Sequence, residues 1–172
     1  MIKRLTLSSI LMAVSVVMLF IGSIWPVRIA MSVIASAITT VTVIECGHKY
    51  AWLTFIGTAI ISFLLIPKKL IVYGYILLLG YYPIIKLYIE RINKLIPEWI
   101  IKLIVFNIVL VISYFALNYF MLPSLDAELV VFFFKHLAFI IAALEVVFAV
   151  YDLVLSYIIG FYNQRLRRNI RI

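Results

Sequence analysis

The chain has little of what a soluble protein depends on. Charged residues make up 13% of its 172 positions, about half the share of an average soluble domain. A water-facing globule of this composition is excluded. There is one cysteine, Cys46, so neither an intramolecular disulfide nor a cysteine-based metal cluster can form. The two histidines, His48 and His136, leave little material for a His-based triad or a di-His metal site. G-x-S-x-G, H-E-x-x-H, P-loop and C-x-x-C motifs are all missing. No enzyme chemistry, metal or cofactor is therefore expected.

What the chain does have is apolar side chains, at 67% of positions, with a mean hydropathy of +1.22. A membrane-crossing helix uses roughly 20 such residues, so the supply covers between five and six crossings. The expected fold is all-α: a polytopic integral protein of the cell membrane, with residues 1–172 as one transmembrane domain. The net charge of +8 is expected to mark helix ends and meet anionic lipid heads, not nucleic acid.

Six spans can be placed. The first covers about Leu5–Trp25 and stops at Pro26. It follows Lys3-Arg4 and is longer than a signal-peptide core, so it is expected to stay uncleaved. The second, about Val27–Ile44, is rich in Ala, Ser and Thr. A short turn, Glu45-Cys46-Gly47-His48-Lys49, leads to the third, about Tyr50–Ile66, which ends at Pro67. The fourth, about Leu70–Ile85, contains Gly74, Gly80 and Pro83 and has the weakest pattern. Residues 87–98 carry Glu90, Arg91, Asn93, Lys94 and Pro97 and are expected to form an interfacial amphipathic helix and turn. The fifth span covers about Trp99–Leu122. Ser124 is placed to cap the last helix, about Leu125–Arg165, which at 1.5 Å per residue is roughly 60 Å long. A basic tail, 165–172, closes the chain.

Lysine and arginine placement sets the orientation. With six spans and both termini cytoplasmic, eleven basic residues fall inside and Arg28, Lys68 and Lys69 outside. Lys86 and Lys102 count among the eleven. A five-span chain with its N-terminus outside gives the same bias if the fourth span does not cross. Lys3-Arg4 before the first span favours six.

Ionisable groups deep in a membrane are costly and point to function. Lys135, Ala138, Ala142, Glu145, Ala149, Asp152 and Ser156 recur at 3-4 spacing in the last helix and form one small or polar face. That face reads either as a polar pocket or ion path centred on Glu145, or as a packing seam. Lys86 or Lys102 can lie near the depth of Asp152. Asn107, Tyr114 and Asn118 share a face of the fifth span. They suit a ligand site or hydrogen bonds between helices. In Gly80-Tyr81-Tyr82-Pro83-Ile84-Ile85-Lys86, the proline frees a backbone carbonyl. The result is either a plain kink or a point of contact for a ligand or partner.

The small-residue first span, the glycine turn at Glu45–Ala51 and the immediate third span resemble the substrate-binding S components of energy-coupling-factor transporters. These are compact six-helix membrane proteins. Rod-shape-determining protein D, a family of cell-wall scaffold proteins, looks similar in size and in the glycine turn. The S-component resemblance implies docking on a membrane partner through a small-residue pattern, present here as Ser9-x-x-x-Ala13. The expected function is thus a small-molecule, micronutrient-type binding or transport subunit with partner subunits. Glu145, Lys135, Tyr114, Asn118 and Asn107 are the ligand candidates. Ser9, Ala13, Tyr82, Pro83, Lys86, Arg91 and Asp152 are the coupling candidates. A membrane scaffold is the alternative, and a lipid-active enzyme using Glu145 and Asp152 is a third reading.

Overall fold

The computed structural model describes residues 2–92, 94–121, 137–162 and 164. Six helical stretches are long and apolar enough to cross a membrane: Ile2–Ile24, Arg28–Cys46, His48–Leu65, Lys69–Ile92, Leu95–Ser113 and Phe139–Phe161. The protein is therefore all-helical in its described part and has the build of a multi-pass membrane protein.

Prolines and one glycine set the boundaries. Helix α1 (Ile2–Ile24) stops just before Trp25-Pro26, because the residue ahead of a proline is pushed out of the helical region. Helix α2 (Arg28–Cys46) and helix α3 (His48–Leu65) are joined by Gly47 alone. Its φ of 93° is one that L side chains rarely adopt, so glycine permits the one-residue reversal. Pro67 ends α3 in the same way as Pro26 ends α1.

The fourth stretch runs from Lys69 to Ile92, with changes of pitch and a break at Gly80-Tyr81. Helix α4 (Lys69–Gly74) passes into a π-helical turn, Tyr75–Leu79, then into helix α5 (Tyr82–Ile89) and a 3₁₀ turn, Glu90–Ile92. At 24 residues it is as long as its neighbours, which answers the question of whether it is long enough to cross. The expected interfacial helix over 87–98 is not a separate element. Its residues are the end of α5, the 3₁₀ turn and the first turn of helix α6 (Leu95–Met121). Pro97 fits that first turn, where its missing N–H has no helical acceptor to lose. Helix α7 (Leu137–Phe161) is the described part of the last helix. The remainder of the expected Leu125–Arg165 helix lies outside the described residues, as do Ser124 and the basic tail.

Helices α1, α2 and α3 pack most closely, through small and hydroxylated side chains. Ser15, Ser36, Thr39, Thr40, Thr42 and Thr54 are all buried. Each gives its hydroxyl proton to a carbonyl three or four residues back, as from Ser15 to Leu11 and from Thr54 to Tyr50. These six hydroxyls need no partner on another helix, so the backbones can approach closely. A Cβ on Gly22 would stand 2.7 Å from Met31 Cβ on α2, so a larger residue there would push α1 and α2 apart. Outward faces carry Val17, Phe20, Ile56, Ile60, Ile104, Ile108, Val147 and Leu153, the apolar covering that a lipid surround requires.

The ends of the helices alternate. Thr54 Oγ1 lies 3.4 Å from the Ser8 carbonyl, Arg91 Nη2 lies 2.7 Å from His48 Nε2, and Tyr162 donates to Glu45 at 3.1 Å. The start of α1, the α2–α3 turn, the α5–α6 turn and the end of α7 therefore share one side of the bundle.

Candidate functional site

Two polar clusters tie the fourth stretch, α6 and α7 together. The larger centres on Asp152 of α7. Its Oδ1 accepts from Lys86 Nζ and from the Tyr82 hydroxyl, each at 2.5 Å, and its Oδ2 accepts from Lys102 Nζ at 3.0 Å. Lys86 also reaches Glu90 Oε1 at 2.7 Å and Ser156 Oγ at 2.8 Å. Lys102 meets the same Glu90 oxygen at 3.2 Å. Lys86 is fully buried, Lys102 and Asp152 nearly so, and Glu90 is partly open.

Helical phase explains the assembly. Lys86 and Glu90 are four apart at the end of the fourth stretch and so share a face. Lys102 lies seven residues into α6 and Asp152 nine residues before the end of α7. Each therefore sits roughly 10–14 Å inside its helix, on the side where those ends meet. Two ammonium groups face two carboxylates, and the charge closes to zero. That cancellation makes burial at membrane depth tolerable, since an unpaired ion there is expensive.

Aromatic side chains pack against the cluster on its inner side. Phe106 and Phe148 stack at 4.1 Å between centroids, and Tyr82 meets Phe148 edge-on at 5.0 Å. Tyr151 donates to the Leu79 carbonyl at 3.0 Å and lies 2.9 Å from Ser36 Oγ. Leu79 is four residues before Pro83, so its carbonyl has lost its helical donor. The expected freed carbonyl is thus taken up by another helix.

The second cluster is smaller. Asn107 Nδ2 donates to Glu145 Oε1 at 3.3 Å and to the Leu103 carbonyl at 3.0 Å. Both residues are half-buried. Among the described residues Glu145 pairs with no cation. Two ligand candidates from separate helices are here brought together. Tyr114 and Asn118 lie along α6 with side chains outside the described part, and Lys135 lies outside the described residues altogether.

Three expectations change. The inward face of α7 is Phe148, Tyr151, Asp152 and Leu155, all buried, while Ala142 and Ser156 are exposed. The small-residue face lies at the edge of this interface, with Asp152 inside and Glu145 and Ala149 half-buried, because the Phe148 and Tyr151 rings fill the space against Phe106 and Tyr82. Lys86 and Lys102 are not markers at a helix end. Their ammonium groups are used up by Asp152 and Glu90. Glu90, read as part of an interfacial segment, belongs to the buried cluster, and its i,i+4 spacing from Lys86 was the available signal.

The coupling candidates divide. Tyr82, Pro83, Lys86 and Asp152 are buried together. Ser9 and Ala13 are exposed on α1. Arg91 is exposed at the α5–α6 turn, over the Tyr88 ring at 5.2 Å, and that ring stacks on His48 at 4.1 Å. Among the described residues, no group of three His, Cys, Asp or Glu could hold a metal ion. No protein-family model, curated protein or solved structure matches the chain.

Proposed function

We propose that the protein is a multi-pass cell-membrane subunit that binds a small molecule beside Glu145, between α6 and α7, and works with partner membrane proteins. The observation that carries this is the contrast between its two deep carboxylates. Asp152 is saturated by three donors, two of them cationic. Among the described residues Glu145 has one long hydrogen bond, from a neutral amide, and stays half-open. A carboxylate at membrane depth without a counter-charge is expensive and is kept where it meets something else. Asp152 and its partners are then the frame, and Glu145 is the working group. The side bearing both chain ends is assigned to the cytoplasm, since Lys3, Arg4, Lys49, Arg91 and Lys94 gather there.

Native mass spectrometry of protein purified from its own membrane tests the reading. A small molecule should stay bound to the wild type and be absent from Glu145→Gln. Repeated absence from the wild type, with no thermal shift across a panel of micronutrients, would remove it.

One observation favours the scaffold reading. Ser9 and Ala13 face outward on α1, four residues apart, which is the spacing that lets another helix approach closely. The same surface serves coupling of a binding subunit to its partner, so crosslinking from position 13 bears on both. As for a carboxylate-pair enzyme, Asp152 has neither oxygen free of a donor.

A further inference from the structure

The Glu145 site has a chemistry that narrows its ligand, given the small-molecule reading above. Glu145 lies eight residues into α7 from Leu137 and sixteen before Phe161, roughly 12 and 24 Å along the axis. Of its two oxygens, Oε1 takes the hydrogen bond from Asn107 and Oε2 has no partner among the described residues. The orientation of the Asn107 amide is fixed by its surroundings. Both neighbours of Nδ2, the Leu103 carbonyl and Glu145, are acceptors, so both amide protons are used. Asn107 Oδ1 accepts nothing among the described residues. With Glu145 ionised, what the pair still offers is acceptors only.

Charge points the same way. Among the described residues, Lys86, Lys102, Asp152 and Glu90 pair with one another. Two positive and two negative groups there leave no described cation over for Glu145. We propose that Glu145 and the Asn107 carbonyl receive a monovalent cation, supplied as the protonated amine of a small organic molecule or as an alkali ion. An anionic ligand, or one able only to accept hydrogen bonds, would meet like charge and unpaired oxygens.

The test uses the full chain in lipid nanodiscs, with melting followed at constant ionic strength. One arm adds sodium or potassium chloride. Another adds methylammonium or ethanolamine hydrochloride. Tetraethylammonium chloride, which has no N–H, is the control. One of the first two arms should raise the melting temperature saturably, by about 3 °C or more well above its dissociation constant. Glu145→Gln should abolish the rise and Asn107→Leu should weaken it, with both variants folded. The arm that responds tells amine from metal ion.

An equal response to tetraethylammonium, no response in either arm, or an unchanged response in Glu145→Gln overturns the proposal. So does a cation response that the wild type lacks and Lys135→Met acquires, because the chain would then supply its own counter-charge. A bound anion found by native mass spectrometry overturns the cation assignment and leaves the small-molecule reading standing. Absence of both a bound compound and any cation response removes the two together.

Discussion

The Tyr151 hydroxyl stands 3.0 Å from the carbonyl of Leu79, a group that Pro83 deprives of its helical donor. The break in the fourth stretch and the last helix are therefore built for each other. The next residue along α7, Asp152, takes the hydroxyl of Tyr82 and the ammonium of Lys86 from just beyond the same break. Two consecutive side chains of one helix thus close both sides of a discontinuity in another.

Tyr151→Phe should expose that dependence. It keeps the ring against Tyr82 and deletes the donor to Leu79. Leaving a buried carbonyl unsatisfied costs about 1–3 kcal/mol, so the melting temperature in nanodiscs should fall by several degrees. An unchanged midpoint would mean that the carbonyl finds another donor.

Asp152→Asn should cost more, about 3–5 kcal/mol, because Lys86 and Lys102 would then share only Glu90 inside the protein. Replacing the pair together, Lys86→Met with Asp152→Leu, should cost clearly less than the two single changes added. A double-mutant cycle measured by thermal or denaturant unfolding gives the coupling, expected above about 1 kcal/mol. Simple additivity would show that the two groups do not meet.

Glycines in the fourth stretch should behave in opposite ways. A Cβ at Gly80 would stand 2.7 Å from Phe55 Cε2 and from Tyr75 Cζ, whereas one at Gly74 meets nothing within 4 Å. Gly80→Ala should destabilise by about 1–3 kcal/mol through overpacking. Gly74→Ala should be neutral or stabilise by up to about 1 kcal/mol, from higher helix propensity. Equal midpoints for the two variants would contradict the packing of Gly80 against Phe55.

Orientation can be read from single cysteines at Lys68 and Lys94, both exposed at turns, in a Cys46→Ser background. On intact cells a membrane-impermeant maleimide should label Cys at position 68. Position 94 should react only after permeabilisation. The reverse pattern would place the chain ends outside.

Much of the architecture was legible because it depends on composition and punctuation. Apolar runs are counted, prolines at 26 and 67 stop helices, and Gly47 marks a reversal. Within the segment 87–98, a short window of charge cannot tell an exposed Glu90 from one folded back onto Lys86. The site was half legible. Asp152 at the depth of Lys86 and Lys102 follows from counting along helices. The pairing of Asn107 with Glu145 does not, because it depends on how α6 and α7 are rotated about their own axes.

The sequence by itself determined a chain of six apolar helices with few deep charges, since hydrocarbon length and the cost of burying ions leave little choice. Only the tertiary structure decided which charges cancel. Helix phase and neighbour contacts direct Lys86 and Lys102 to Asp152 and Glu90, and turn Phe148 inward beside Asp152. Among the described residues Glu145 is then left with a neutral amide as its partner. The physical reason is that a side chain's depth is fixed along its own helix, while its partner is fixed by the rotation and packing of another.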